Sequence, residues 1–328
     1  MNKTLITVFI LAVFILSISF SAFSEETSSE DTVKDDNSGS ITQGNSLTIP
    51  FAYYGGASVE AKAEYAHTWK IPFGGTGMLT KGNNMQLKLK GNLSPVALSG
   101  GFDITATPLA VLQVTAGVQA GSGWYLSPLD VNGVGVLEDA ENENSYSKDA
   151  FNGIMLKAKT GAALQFDTGA VIPGDWTSVL MRSYNEIYYH ALTSAETGDF
   201  WVFEGVKDNL SGLKYYASHV LGYSTPAIPV LDLIGCMLET ETYISHRNDS
   251  PAAEGGWASD FWDNTLSALV NFKLTDTQNL AFLAQFHTTP NWNEENPDTI
   301  DRPDRTINSS NPTLWKFKRV VLNYSISF

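Results

Sequence analysis

The last nine residues, V-V-L-N-Y-S-I-S-F, place an apolar side chain at every second position: Val320, Leu322, Tyr324, Ile326 and Phe328, with Asn323, Ser325 and Ser327 between them. Successive side chains of a β-strand point to opposite faces, so this segment is a strand with one apolar and one polar side. Chain ends of water-soluble domains usually fray and carry polar residues. An aromatic ring at the end therefore implies apolar surroundings that receive it.

The same period recurs along the chain. Val59, Ala61, Ala63, Tyr65, His67 and Trp69 alternate with Glu60, Lys62, Glu64, Ala66, Thr68 and Lys70. Met85, Leu87 and Leu89 alternate with Gln86, Lys88 and Lys90, and Ile154, Leu156 and Ala158 with Met155, Lys157 and Lys159. Runs at 265–274 and 280–287 repeat the pattern. Many approach the length a tilted strand needs to cross a bilayer, about 9 to 11 residues. Alternation alone leaves the direction open: a soluble sandwich or lipocalin-like barrel turns its apolar face inward, a membrane barrel outward. Aromatics near strand ends, Trp69, Trp124, Trp176, Trp201, Trp262 and Trp315, fit the interfacial girdles of a membrane barrel.

At the other end, Met1-Asn2-Lys3 precedes an apolar run from Leu5 to Phe20, and Ala22-Phe23-Ser24 supplies small residues before Glu25. This reads as a signal peptide over 1–24, cleaved near Ser24. Residues 25–45 are acidic and polar, the composition of a disordered leader. Residues 46–328 then form one unit. A formal net charge of -15 argues against nucleic acid as a partner. The single cysteine, Cys236, forms no intramolecular disulfide. No later run offers the roughly 18 apolar residues of a membrane helix.

Connections near the C-terminus alternate in length: Ser224–Pro229 short, His246–Asp260 long, Thr275–Asn279 short, Thr288–Leu314 long. Membrane barrels alternate tight periplasmic turns with longer external loops in this way. Strand segments are expected near 57–70, 84–93, 96–106, 109–121, 152–166, 176–190, 199–206, 213–224, 230–245, 261–274, 278–287 and 315–328. That gives about twelve, with ten to fourteen as bounds. It also puts the long connection from Ser122 to Ala150 among the short turns. Either Leu47–Tyr54 is a further strand and another segment is misassigned, or this connection folds inward as a plug.

The apolar alternation ending in Phe328, the signal peptide and the amphipathic hairpins together resemble the outer-membrane β-barrel proteins of double-membraned bacteria. The many Tyr and Trp, the scarcity of Cys and the G-S-G-W at 121–124 are similar in style to outer-membrane proteins of spirochaetes. The resemblance implies an all-β transmembrane antiparallel barrel of up-and-down hairpins in the outer membrane, with lipid around it. It also implies assembly by the barrel-assembly machinery, which reads a terminal strand; here the matching residues are Leu322, Tyr324, Ile326 and Phe328. It implies no solute.

If the apolar faces meet lipid, then Glu60, Lys62, Glu64, Lys88, Lys90, Lys157, Lys159, Arg182, Glu186, Glu239, Glu241, Lys273 and Arg319 point into the lumen. Each would cost several kcal/mol if buried singly, so they are paired, hydrated or both. Two expectations follow: a narrow porin-like channel or transporter for small solutes, or a structural or adhesive barrel that only displays its loops. No cofactor is expected. The five histidines, His67, His190, His219, His246 and His287, are dispersed, and neither H-E-x-x-H nor G-x-S-x-G occurs, so no enzyme is indicated. Asp130, Asn132, Gly135, Glu138 and Glu141 have EF-hand spacing, but Val134 stands where an oxygen ligand belongs, and the reading is an acidic loop. The G-G-T-G at 74–77 reads as a flexible loop, and 293–305 as a solvated external one.

Overall fold

The computed structural model describes residues 41–55, 58–73, 75, 77, 79–80, 82–138, 145–172, 174, 178–224, 227–245, 260–295 and 305–328. The expected signal peptide, the leader as far as residue 40, Trp176, Glu141, His246, Gly74 and Thr76, and most of the loops at 246–260 and 293–305 lie outside the described residues.

The strands are β1 (Thr42–Gly55), β2 (Ser58–Ala61), β3 (Ala63–Pro72), β4 (Asn84–Leu93), β5 (Ala97–Leu109), β6 (Leu112–Gly123), β7 (Tyr125–Leu126), β8 (Val131–Asn132), β9 (Val134–Val136), β10 (Met155–Asp167), β11 (Val179–Leu192), β12 (Trp201–Phe203), β13 (Val206–Asn209), β14 (Gly212–Tyr223), β15 (Leu231–Tyr243), β16 (Asp263–Lys273), β17 (Gln278–Pro290) and β18 (Thr313–Ser327). Antiparallel neighbours run β1–β3–β4–β5–β6–β10–β11–β14–β15–β16–β17–β18, and β18 returns to β1, with Ser46 facing Ser327 and Tyr53 facing Val320. A closed ring has no unpaired edge to attract another chain.

β2 and β3 are two pieces of one strand, because the register is the same on both sides of Lys62: Phe51 faces Ala61 and Thr48 faces Glu64. The cause is Pro50. Its carbonyl accepts from the Lys62 N–H at 3.2 Å, but it has no N–H to return to the ladder. Counted so, the barrel has twelve strands.

Two expected segments change, and the changes cancel in the count. β1 is the additional strand, and it begins at Thr42, inside the segment expected to be leader; residues 42–45 pair with Lys70 back to His67. Its Gly44, Asn45 and Pro50 disguise it as a loop. Conversely, 199–206 is absent from the wall: β12 pairs with β13 and β9 in a separate three-stranded sheet. W-V-F has the apolar content of a strand but only a quarter of a wall strand's length.

This exchange moves the Ser122–Ala150 connection to the other end of the barrel. Connections alternate ends, so 94–96, 124–154, 193–211, 244–262 and 291–312 share one end, here called the loop end. The start of β1, the finish of β18 and the connections at 73–83, 110–111, 168–178, 224–230 and 274–277 lie at the opposite end.

Register also settles the direction of the faces. Large apolar side chains stand exposed on the outside, as at Val118 (57%) and Leu164 (63%), while inward positions are covered, as at Ser267 (0%) and Gln285 (3%). A water-soluble barrel sorts its residues the opposite way.

The small sheet is held over the loop end by an apolar cluster of Ala97, Val134, Met155, Leu192, Trp201 and Phe203. Trp201, expected in an interfacial girdle, is instead buried here, its ring 5.0 Å from that of His190. The Trp124 N–H donates to the Val96 carbonyl at 2.8 Å, and the Tyr146 hydroxyl to Asp208 at 2.8 Å. Glu204 and Gly205, both at positive φ, make the tight β12–β13 turn.

Candidate functional site

The inner wall carries a chain of charges that crosses from strand to strand. Lys90 on β4 donates to Asp103 on β5 at 2.6 Å; Asp103 also lies 3.8 Å from Lys159 on β10. Lys159 and Lys157 sit 3.6 and 3.5 Å from the carboxylate of Glu186 on β11. Between β5 and β10 stands β6, and what lets the carboxylate pass is Gly117, which faces both Asp103 and Lys159 in register. A Cβ at Gly117 would sit 2.0 Å from Asp103 Oδ1.

The chain continues through tyrosines. The Tyr184 hydroxyl donates to Glu186 at 2.5 Å, and the Tyr216 hydroxyl to Glu239 at 2.7 Å. Glu241 pairs with Lys214. Lys157 lies 3.7 Å from the centre of the Tyr188 ring and Lys214 4.5 Å from that of Tyr243, both cation–π distances. On the other side of the ring, Arg319 donates to Gln285 at 2.7 Å, to Tyr54 at 2.6 Å and to Glu60 at 3.1 Å, and Gln285 donates to Ser267 at 2.9 Å. Lys62 lies 3.4 Å from both Glu64 and Glu204.

Of the thirteen charged positions expected to share one face, Lys62, Glu64, Lys90, Lys157, Lys159, Glu186, Glu239, Glu241, Glu60 and Arg319 enter this network. Lys88 makes no ion pair among the described residues. Arg182 is exposed and stacks near Tyr184, 5.2 Å from the ring centre. Lys273 lies at the end of β16 and pairs at 2.9 Å with Asp276 in the following turn, both exposed.

Sequence reading missed Asp103, Lys214, Glu204 and the tyrosines 184, 188 and 216. Asp103 sits in G-G-F-D-I-T and Lys214 in G-L-K-Y-Y-A, where Gly and paired Tyr blur the period. Pairing each segment with its neighbours is the signal that recovers them. Of the spaced residues at 130–141 that are described, Asp130 accepts from Tyr125 at 2.7 Å and pairs with Lys148, while Asn132 donates to the carbonyls of Tyr146 and Ser147.

No protein-family model matches the chain, and no curated protein does. Among solved structures it is similar to the KdgM porin (9% identity, TM-score 0.39, 86% of this chain against 99% of that one) and to the NanC porin (7%, 0.39, 86% against 98%). It is also similar to OmpT, an outer membrane protein of Vibrio cholerae (8%, 0.35, 91% against 100%). Identities and scores this low assign no solute and no partner to this chain.

Proposed function

We propose that the chain spans the outer membrane and that its lumen is a narrow, charge-lined channel for small solutes, covered at the external mouth by the β9–β12–β13 sheet. The loop end faces outward, since long connections belong outside in such barrels. The supporting observation is the continuous polar lining from Lys90 to Glu241 inside a ring whose exterior is largely apolar. Eight strands leave an interior just filled by side chains, and 16 to 18 leave an aqueous channel, so twelve fit a constricted passage. Lipid surrounds the wall, and the barrel-assembly machinery receives the strand that carries Leu322, Tyr324, Ile326 and Phe328.

Conductance of the purified, folded protein in a planar bilayer tests the reading. Lys88, which makes no ion pair among the described residues, contributes positive field to the lumen, and Lys88→Glu is expected to move the reversal potential toward cations. Screening over about 8 to 10 Å makes this shift smaller at high salt. A folded barrel that never conducts rejects the channel.

A second reading is a barrel that serves only to display its loops. It is favoured by one observation: Lys90, Asp103, Lys159, Glu186 and Lys157 spend their charges on one another. Such pairs brace a wall.

A further inference from the structure

Between the charge chain and the turn end of the barrel, the inner wall is apolar on one arc and cationic on the other. Val220 faces Met237, Met237 faces Ser267, Leu269 faces Leu283, and Leu283 faces Val321, so one inward arc runs from β14 to β18. On their strands these five apolar residues lie nearer the turn end than Tyr216, Glu239, Ser267, Gln285 and Arg319, the polar positions of the same face. All five are half-buried. An inward side chain that keeps accessible surface presents it to the lumen.

The opposite arc carries charge. Lys88 is the next inward position of β4 on the turn side of Lys90, and β4 stands six places from β15 in the closed ring, directly across the lumen. It makes no ion pair among the described residues. Arg182 on β11 faces Val220 at the edge of the apolar arc and lies near the Tyr184 ring, again with no ion pair among the described residues. The carboxylates nearby are engaged: Asp103 and Glu186 are each held by two lysines, and Glu239, on the loop side of Met237, accepts from Tyr216 at 2.7 Å.

We propose that this part of the lumen binds an amphipathic organic anion, a small molecule with an apolar body and one carboxylate. The body lies on the β14–β18 arc and the acid group turns to Lys88 and Arg182. The inference rests on the accessible lumen of the channel reading and names its solute class. Each half of the ligand answers one half of the wall. A strongly hydrated anion gains from the cations but leaves the five apolar side chains facing water, whereas an apolar body removes that surface from water. A neutral apolar molecule leaves Lys88 and Arg182 without a counter-charge, and a cationic one is repelled by a field that low-dielectric walls focus into the passage.

Calorimetry on the folded protein in lipid nanodiscs, with empty nanodiscs subtracted, tests the site with 4-phenylbutyrate against gluconate, both monovalent carboxylates. Phenylbutyrate is expected to bind roughly tenfold more tightly or better. Along the series phenylacetate, 3-phenylpropionate and 4-phenylbutyrate, each methylene laid on the arc should tighten binding about fourfold. Lys88→Gln should weaken all three alike and keep that increment. The double variant Leu269→Asn, Leu283→Asn should shrink the increment, with heat-modifiable migration reporting that the barrel is folded. Should the double variant fail to fold, the wild type decides with 4-phenylbutylammonium, which is expected to bind roughly tenfold more weakly than 4-phenylbutyrate.

Equal affinity for gluconate and phenylbutyrate, equal affinity for the acid and the ammonium, or an increment that the folded double variant retains overturns the proposal. Planar-bilayer currents separate it from the channel itself. A barrel that conducts and shows no preference for phenylbutyrate rejects the site and keeps the channel; one that binds phenylbutyrate and never conducts does the reverse.

Discussion

Glu204 lies 3.4 Å from Lys62, 142 residues away in sequence and on the far side of the ring from β11 and β14, the strands that carry its loop. The small sheet therefore reaches across the mouth and is fastened at a second point.

Removing that fastening should loosen the cover. Glu204→Gln replaces a charge-assisted hydrogen bond, a change of about 1.5 kcal/mol, and so about a tenfold rise in the open-to-closed ratio of single channels. An unchanged open probability, together with unchanged protease protection of 193–211, would remove the cover from the account.

The direction of the faces has its own test. Val118→Arg places a cation at mid-strand on the outward surface, which costs about 2–4 kcal/mol if that surface meets hydrocarbon. Folding into lipid vesicles, followed by urea titration, should show the loss. A neutral result means that water touches β6 from outside.

Gly117 is expected to be indispensable for the ion-pair chain. Valine suits strands better than glycine, yet Gly117→Val drives its Cβ into Asp103, strips Lys90 of its partner and leaves Lys159 with Glu186 alone, with about 1–3 kcal/mol lost. In an Asp103→Ala background the same substitution should cost much less. A stabilising Gly117→Val in the wild-type chain contradicts the geometry.

The 124–154 loop should loosen in acid. The Tyr125 hydrogen bond, and then Lys148, hold the Asp130 carboxyl below its ordinary value of 3.8. A carboxyl depressed in the folded state stabilises the fold above its unfolded pKa, and that contribution disappears as pH falls through the folded value. Protease cutting near 125–148 should therefore be constant from neutral pH down to about 4 and rise below it. Asp130→Asn should flatten the profile.

Deleting Phe328 is expected to reduce the folded, heat-modifiable protein in the outer membrane while export across the inner membrane continues. Equal yields of folded wild type and variant count against the terminal strand as an assembly signal.

Period-two alternation by itself determined that this chain is all-β, which side chains share a face, and that about twelve strands are built from hairpins; Lys157 with Lys159 and Leu322 with Tyr324 needed only parity. That information is local, because successive residues of a strand alternate whatever lies beside them. Which segments join the wall is not local. β1, interrupted by Gly44 and Pro50, counts as a wall strand only because β18 and β3 pair with it, and Trp201–Phe203 leaves the wall only because β9 and β13 claim it. Partners across strands were equally out of reach: Asp103 meets Lys159 over Gly117, and Glu204 meets Lys62, through register and closure that bring distant residues together.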